Sequence, residues 1–168
     1  MKQTLKYIFD KLLELIRIAE AKYSITLALA SGVIVLGSSF IGSENLYTKI
    51  LASTTVIFSL ISIVYGFVAL FARNIKLRPK RKPKQSKNLL FYKTIIHFDE
   101  HTFLEEIKAK YNFPASYKFD EFDLDLARSV IAQARVANVK FLYFNISLFF
   151  LLLGVFSAVV MVVLLGGL

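Results

Sequence analysis

His97 and His101 stand four residues apart with Asp99 and Glu100 between them, donor types that a transition metal takes up. A metal would need further ligands brought by folding, and exposed side chains near a helix start are the plainer reading, so neither a metal site nor a cofactor is expected. The chain has no cysteine, no Gly-rich phosphate loop and no nucleophile elbow. Its carboxylates cluster at Glu105/Glu106 and from Asp120 to Asp125, where helix capping and the helix dipole account for them. The sequence therefore reads as a non-enzyme. The chemistry that remains is cationic. Between Arg73 and Lys87 lie eight basic residues, Arg78, Lys80, Arg81, Lys82 and Lys84 among them, with no acid and with Pro79 and Pro83. Two prolines block a regular helix, leaving a solvated linker that either anchors on anionic headgroups or docks a nucleotide or nucleic-acid phosphate. Further on, Arg128, Arg135 and Asn138 recur at helical spacing and are the other candidate phosphate contacts.

The elements that must position these cations are membrane helices. The 168 residues are 56% hydrophobic with a net charge of +9, and Tyr23 to Ile41, Ile50 to Phe71 and Phe141 to Leu168 contain no charge at all. Each run reaches the ~20 residues a helix needs to cross a ~30 Å hydrocarbon layer, and none alternates like a barrel strand. The expected fold is an all-α integral membrane protein with three transmembrane helices, 23–41, 50–71 and 141–168. An amphipathic cytoplasmic helix (1–22) precedes them, and a basic linker with a helical stalk fills 72–140. The segments between the runs carry net charges of +2 (1–22), 0 (42–49) and +7 (72–140). The positive-inside rule then puts the N-terminus and 72–140 in the cytoplasm and the C-terminus outside.

Within 72–140, Asn88-Leu-Leu-Phe-Tyr is expected to be strand-like or packed at the membrane face. Thr102-Phe-Leu-Glu105 reads as a capping box opening a helix that stops at Asn112-Phe-Pro114. From Asp120 a second helix is expected to run without a break to Leu168, roughly 70 Å long. One seam of this rod is apolar (Ala127, Val130, Ala134, Ala137, Phe141, Phe144, Leu148). The opposite one runs from Arg128, Arg135 and Asn138 through Leu142 and Asn145 to Phe149, Leu152 and Phe156. Facing a symmetry axis, that second seam would place positive rings below the membrane and a dewetting constriction at Asn145, Phe149, Leu152 and Phe156. Solvated arginines on the outside of a stalk are the alternative. Small residues recur on the second membrane helix at Ala52, Thr55, Ser59, Ser62, Gly66 and Ala69, and on the first at Ser24, Ala28, Ser31 and Ser38. Both stripes are expected to pack helices, within a subunit or between subunits, since close backbone approach is what holds helices together in lipid. A hydroxyl-lined aqueous path is the other reading.

Ile18-Ala-Glu-Ala-Lys22 leading into a small-residue membrane helix, Asn88-Leu-Leu-Phe-Tyr after the basic linker, Phe103-Leu-Glu-Glu-Ile107, and Asp125-Leu-Ala-Arg128 running through Lys140 into the last membrane helix together form a layout. It resembles the membrane effectors of bacterial Pycsar-type and CBASS-like antiphage systems, over almost the whole chain. The resemblance implies a pore-forming or membrane-disrupting protein of abortive defence. Such a protein is paired with a nucleotidyltransferase or cyclase encoded nearby and breaches the inner membrane when infection changes the nucleotide signal. Many proteins of this kind carry a separate cyclic-nucleotide-binding domain, which these residues do not include. The signal is therefore open between a cyclic mononucleotide, a cyclic oligonucleotide and a linear oligonucleotide. A homo-oligomer, a tetramer as the working number, is expected, because three membrane helices without internal charge give little wall for a path. The competing reading is a non-channel membrane scaffold that recruits a soluble partner.

Overall fold

The computed structural model describes residues 1–71 and 88–166. Five helices follow in order: α1 (Lys2–Ser38), α2 (Leu46–Leu70), α3 (Tyr92–Ile95), α4 (Glu100–Lys110) and α5 (Glu121–Gly166). There is no strand among the described residues. Three of the helices, α1, α2 and α5, are long and apolar enough to cross a membrane. The chain divides into two compact units, one of residues 1–18 and 88–140, the other of 19–71 and 141–166.

In the first unit the start of α1 is amphipathic. Leu5, Ile8, Leu12 and Ile16 recur every three or four residues and are buried, while Lys2, Lys6, Lys11 and Arg17 stay exposed. Phe103, Leu104 and Ile107 of α4 and Ala127, Val130, Ala134 and Ala137 of α5 are buried as well, so the apolar seam read from the sequence is the inner face of α5 here. Helix α4 opens three residues earlier than expected. Its cap is Asp99, not Thr102: the Asp99 carboxylate accepts from the Thr102 backbone N–H and from the Thr102 hydroxyl, leaving no role for Thr102 as the cap. Helix α4 ends where expected. Asn112 takes a positive φ of 54° and the Phe113 N–H returns to the Lys108 carbonyl, closing the last turn. Lys108 then donates to the carbonyls of Ala115 and Tyr117, which fixes the connection into α5. That helix begins with a reciprocal cap. Asp120 accepts from the Asp123 N–H at 2.8 Å and the Asp123 carboxylate accepts from the Asp120 N–H at 3.5 Å.

The segment after the linker is a turn and one helical turn, not a strand. The Asn88 side chain accepts from the Leu90 N–H and the Asn88 carbonyl accepts from the Phe91 N–H, which curls the backbone away from extended geometry.

In the second unit the membrane helices are α1 from Ala19 onward, α2 and the last half of α5. Helix α2 starts at Leu46, capped by Asn45, whose side chain accepts from the Tyr47 and Thr48 N–H groups. Ala19, Tyr23 and Ala69 form a buried cluster with Phe141, Tyr143 and Phe144 packed on it, and the Tyr23 and Phe144 rings meet edge to face at 5.5 Å.

Candidate functional site

The small residues of α2 set how its neighbours reach it. Ala52, Thr55, Ser59, Ser62, Gly66 and Ala69 are all buried. Opposite them, the Ser62 hydroxyl donates to the Ser147 carbonyl, the Ser147 hydroxyl donates to the Ser62 carbonyl, both at 2.8 Å, and the Ser157 hydroxyl donates to the Leu51 carbonyl at 3.0 Å. The register ascends one helix as it descends the other, so α2 and α5 are antiparallel. Their approach is close enough that a Cβ on Gly154 would lie 2.9 Å from the Ser59 Oγ. Helix α1 comes equally close to α2 at Gly37, where a Cβ would meet Val56 at 3.0 Å and the Ala52 carbonyl at 3.2 Å.

Within this chain the stripe read on α1 is not the packed face. Ser24, Ala28, Ser31 and Ser38 are exposed, and the buried face is Tyr23, Thr26, Ala30 and Gly37. Tyr23 is the largest side chain on this stretch, and burying it decides the rotation of the helix; the next residue, one hundred degrees round, then points out. Ser24 and Ser31 need no neighbour because their hydroxyls bond the Glu20 and Leu27 carbonyls of their own helix.

On α5 the residues expected to line a path share the uncovered side of the second unit. Leu142, Asn145, Phe149, Leu152 and Phe156 are exposed, Phe156 by 68%. Four are large and apolar, and the fifth is an amide.

The cationic residues have a different setting. Arg128 is not a free charge: its Nε lies 3.2 Å from Glu100 and a terminal nitrogen 3.1 Å from Asp125. The Glu100 carboxyl is held below the usual range, first by its own backbone N–H and then by that guanidinium. Arg135 and Asn138 are half-buried, and the Arg135 Nε is buried without a hydrogen-bond partner. Arg78, Lys80, Arg81, Lys82 and Lys84 lie outside the described residues. His97 precedes α4 and His101 lies within it, so no single helix presents the two together. A largely apolar cleft of about 480 Å³ does occur in the first unit, lined by Lys2, Gln3, Lys6, Phe9, Asp10, Phe122 and Leu126. The Lys2 ammonium sits 5.1 Å above the Phe122 ring and 2.7 Å from Asp120, while Lys6 has no ion pair among the described residues. Sequence reasoning missed this cleft. Lys2 and Lys6 were legible as an i, i+4 pair on one face, but Phe122 joins them only through the fold.

A family model described as the Pycsar effector protein domain (PycTM) matches residues 4–167, from the cleft helix to the end of the last membrane helix. The chain belongs to this family. It is a multi-pass membrane effector of antiphage defence. No curated protein and no solved structure matches it.

Proposed function

We propose that this Pycsar effector is a nucleotide-controlled pore. It works as a homo-oligomer, a tetramer as the working number, in the bacterial inner membrane, with its N-terminus in the cytoplasm and its C-terminus outside. A nucleotide or oligonucleotide from a partner nucleotidyltransferase or cyclase controls it, and it catalyses no reaction. The observation that carries the reading is Asn145, an exposed amide in an otherwise apolar row on a membrane helix. An amide turned to acyl chains loses its hydrogen bonds, so this face is better placed toward other subunits and water than toward lipid. Leu142, Phe149, Leu152 and Phe156 around it supply the bulk that closes a narrow path by expelling water. One copy has too few membrane helices to enclose such a path, and a closed ring supplies the rest.

For the signal, the cleft offers Lys6, which has no ion pair among the described residues, whereas Arg128 and Lys2 are already engaged by carboxylates. Lys6 suits a phosphate, Phe9 and Phe122 suit a base, and Gln3 and Asp10 suit its edge. Binding shifts the closed-to-open balance by its differential affinity for the two arrangements. The test is ion flux from liposomes holding the full chain, titrated with cyclic mononucleotides and with cyclic and linear oligonucleotides. Discrete conductance steps that depend on one nucleotide, lost in Lys6→Glu, support the reading. Tight vesicles under every nucleotide, with a soluble protein co-purifying, would favour a scaffold instead.

A further inference from the structure

Lys2 belongs to two groups of residues at once. Its side chain lines the cleft beside Lys6, while its ammonium lies 2.7 Å from the Asp120 carboxylate and 5.1 Å from the Phe122 ring centre. Asp120 is shared as well. One of its oxygens faces Lys2 and the other accepts from the Asp123 N–H at 2.8 Å, capping α5. A single carboxylate therefore joins the first residue of α1 to the first turn of α5. Asp123 beside it is fully buried, and its Oδ1 has no hydrogen-bond partner. Among the described residues, Lys2 is the one cation that pairs with either acid.

The charges around the cleft make this pair decisive for an anion. Lys2 and Lys6 are its cations, Asp10 is its acid, and Asp120 brings a second acid against Lys2. With the ion pair made, these four groups carry no net charge to attract a phosphate. Separating Asp120 from Lys2 leaves one positive charge in excess on the cleft wall. The pair is also one that a competing anion can open. Both side chains are 52% exposed, and ion pairs this wet change an equilibrium constant only a few-fold. A phosphate offers the ammonium the same charge-assisted hydrogen bond. Phe122, the second partner of Lys2, is itself a lining residue, so the ammonium stays at the cleft when it leaves the carboxylate.

We infer that Asp120 is a built-in competitor for the anion seat: it holds Lys2 until a phosphate entering beside Lys6 takes the ammonium, which parts α1 from the cap of α5. The inference rests on the cleft being the site of the signal. The chain has no tryptophan, so Phe122→Trp gives a single reporter beneath Lys2 in the full-length protein, blind to anions bound elsewhere. In bicelles this protein is titrated with inorganic pyrophosphate as the probe. Asp120→Asn keeps an acceptor for the cap and should lower the half-saturating concentration about three- to fivefold. Asp120→Ser, a second capping residue, should do the same. Glu121→Gln removes a charge one residue away and should change it less than about twofold. In a Lys2→Gln background the gain from Asp120→Asn should vanish, and Lys6→Glu should abolish the response. An Asp120→Asn effect no larger than that of Glu121→Gln, or one that persists without Lys2, overturns the inference. If Lys6→Glu still abolishes the response in that case, the cleft remains the anion site. Silence at position 122 in every variant removes the cleft as an anion site, and the inference falls with that assignment.

Discussion

Ser62 on α2 and Ser147 on α5 exchange hydrogen bonds, each hydroxyl donating to the other's backbone carbonyl at 2.8 Å with the two hydroxyl oxygens 3.0 Å apart. Both residues are fully buried. Helices in lipid gain little from burying apolar surface against one another, so contacts of this kind and close backbone approach carry the association. Interhelical hydrogen bonds in membranes contribute about 0.6 kcal/mol on average and up to about 1.7. Ser62→Ala and Ser147→Ala should each destabilise by about 1 kcal/mol. Because either hydroxyl needs the approach that the other maintains, the double variant should lose less than the sum, with a coupling of about 0.5 kcal/mol or more. Reversible unfolding in bicelles measures the cycle, and strict additivity would mean that the two bonds form independently.

Ser59 and Gly154 test the same seam by volume. The Ser59 Oγ is buried without a hydrogen-bond partner, and it is the atom a Cβ at Gly154 would strike at 2.9 Å. Ser59→Ala should therefore be neutral or stabilising, since it removes an unsatisfied hydroxyl. Gly154→Ala gains about 1 kcal/mol of helix propensity but must move Ser59, an overpacking that costs about 1–3 kcal/mol. Combining the two removes the clash and keeps the propensity, so the double variant should exceed Gly154→Ala alone by more than Ser59→Ala exceeds the wild type. Equal increments would show that Ser59 is not the obstacle.

These examples show which parts of the molecule the amino-acid order discloses. The three uncharged runs and the long α5 were legible because a membrane span, and a stretch without Pro or Gly from Glu121 to Leu153, are properties of the chain itself. So was the α2 seam, where every position is small. The α1 face was not, because choosing between Tyr23 and Ser24 requires knowing that Phe144 waits to receive the ring. The start of α4 was misplaced for a local reason: Asp99 and Thr102 are both good caps three residues apart, and only the hydrogen bonds choose. Arg128 looked like a free cation because its partner Glu100 is 28 residues away and joins it only through folding. The cleft was hidden likewise, being built from the two ends of the first unit's sequence.

Stability of the first unit should fall at both pH extremes through one cluster. The Asp120 carboxyl is held below its ordinary value, first by its hydrogen bond to Lys2 and then by the Asp123 backbone N–H. A depressed carboxyl stabilises the fold above its unfolded value, near 4, and that contribution is lost as pH falls through the lower folded value. Tyr117 donates to the Asp123 carboxylate at 2.8 Å, and that hydrogen bond, ahead of burial and of the charge itself, pushes the phenol up to about 12. A raised phenol stabilises fully below about 10 and ceases to do so as pH rises through about 12. Lys2→Ala should flatten the acid limb and, because Asp120 also raises the Lys2 ammonium, soften the alkaline one above its ordinary range, whereas Tyr117→Phe should flatten the alkaline limb alone. Unfolding midpoints followed from pH 2 to 12 would separate them, and a Lys2→Ala profile parallel to wild type in acid would remove Asp120 from the account.

Asn145 and Phe149 stand one turn apart on the uncovered face of α5, and they should respond in opposite directions. If the row faces a water path, Phe149 is part of its dry constriction and Asn145 is part of its wet lining. Phe149→Ser should admit water to the closed state, so vesicles leak without any nucleotide. Asn145→Leu should extend the dry region and reduce flux at saturating signal, with no loss of thermal stability because the side chain has no partner among the described residues. A lipid-facing row behaves otherwise. There Asn145→Leu removes an amide from hydrocarbon and raises stability without touching flux, and Phe149→Ser places a hydroxyl in the tails and lowers stability while the vesicles stay tight. Flux and stability measured on the same two variants therefore distinguish the settings, because each setting moves one quantity and spares the other.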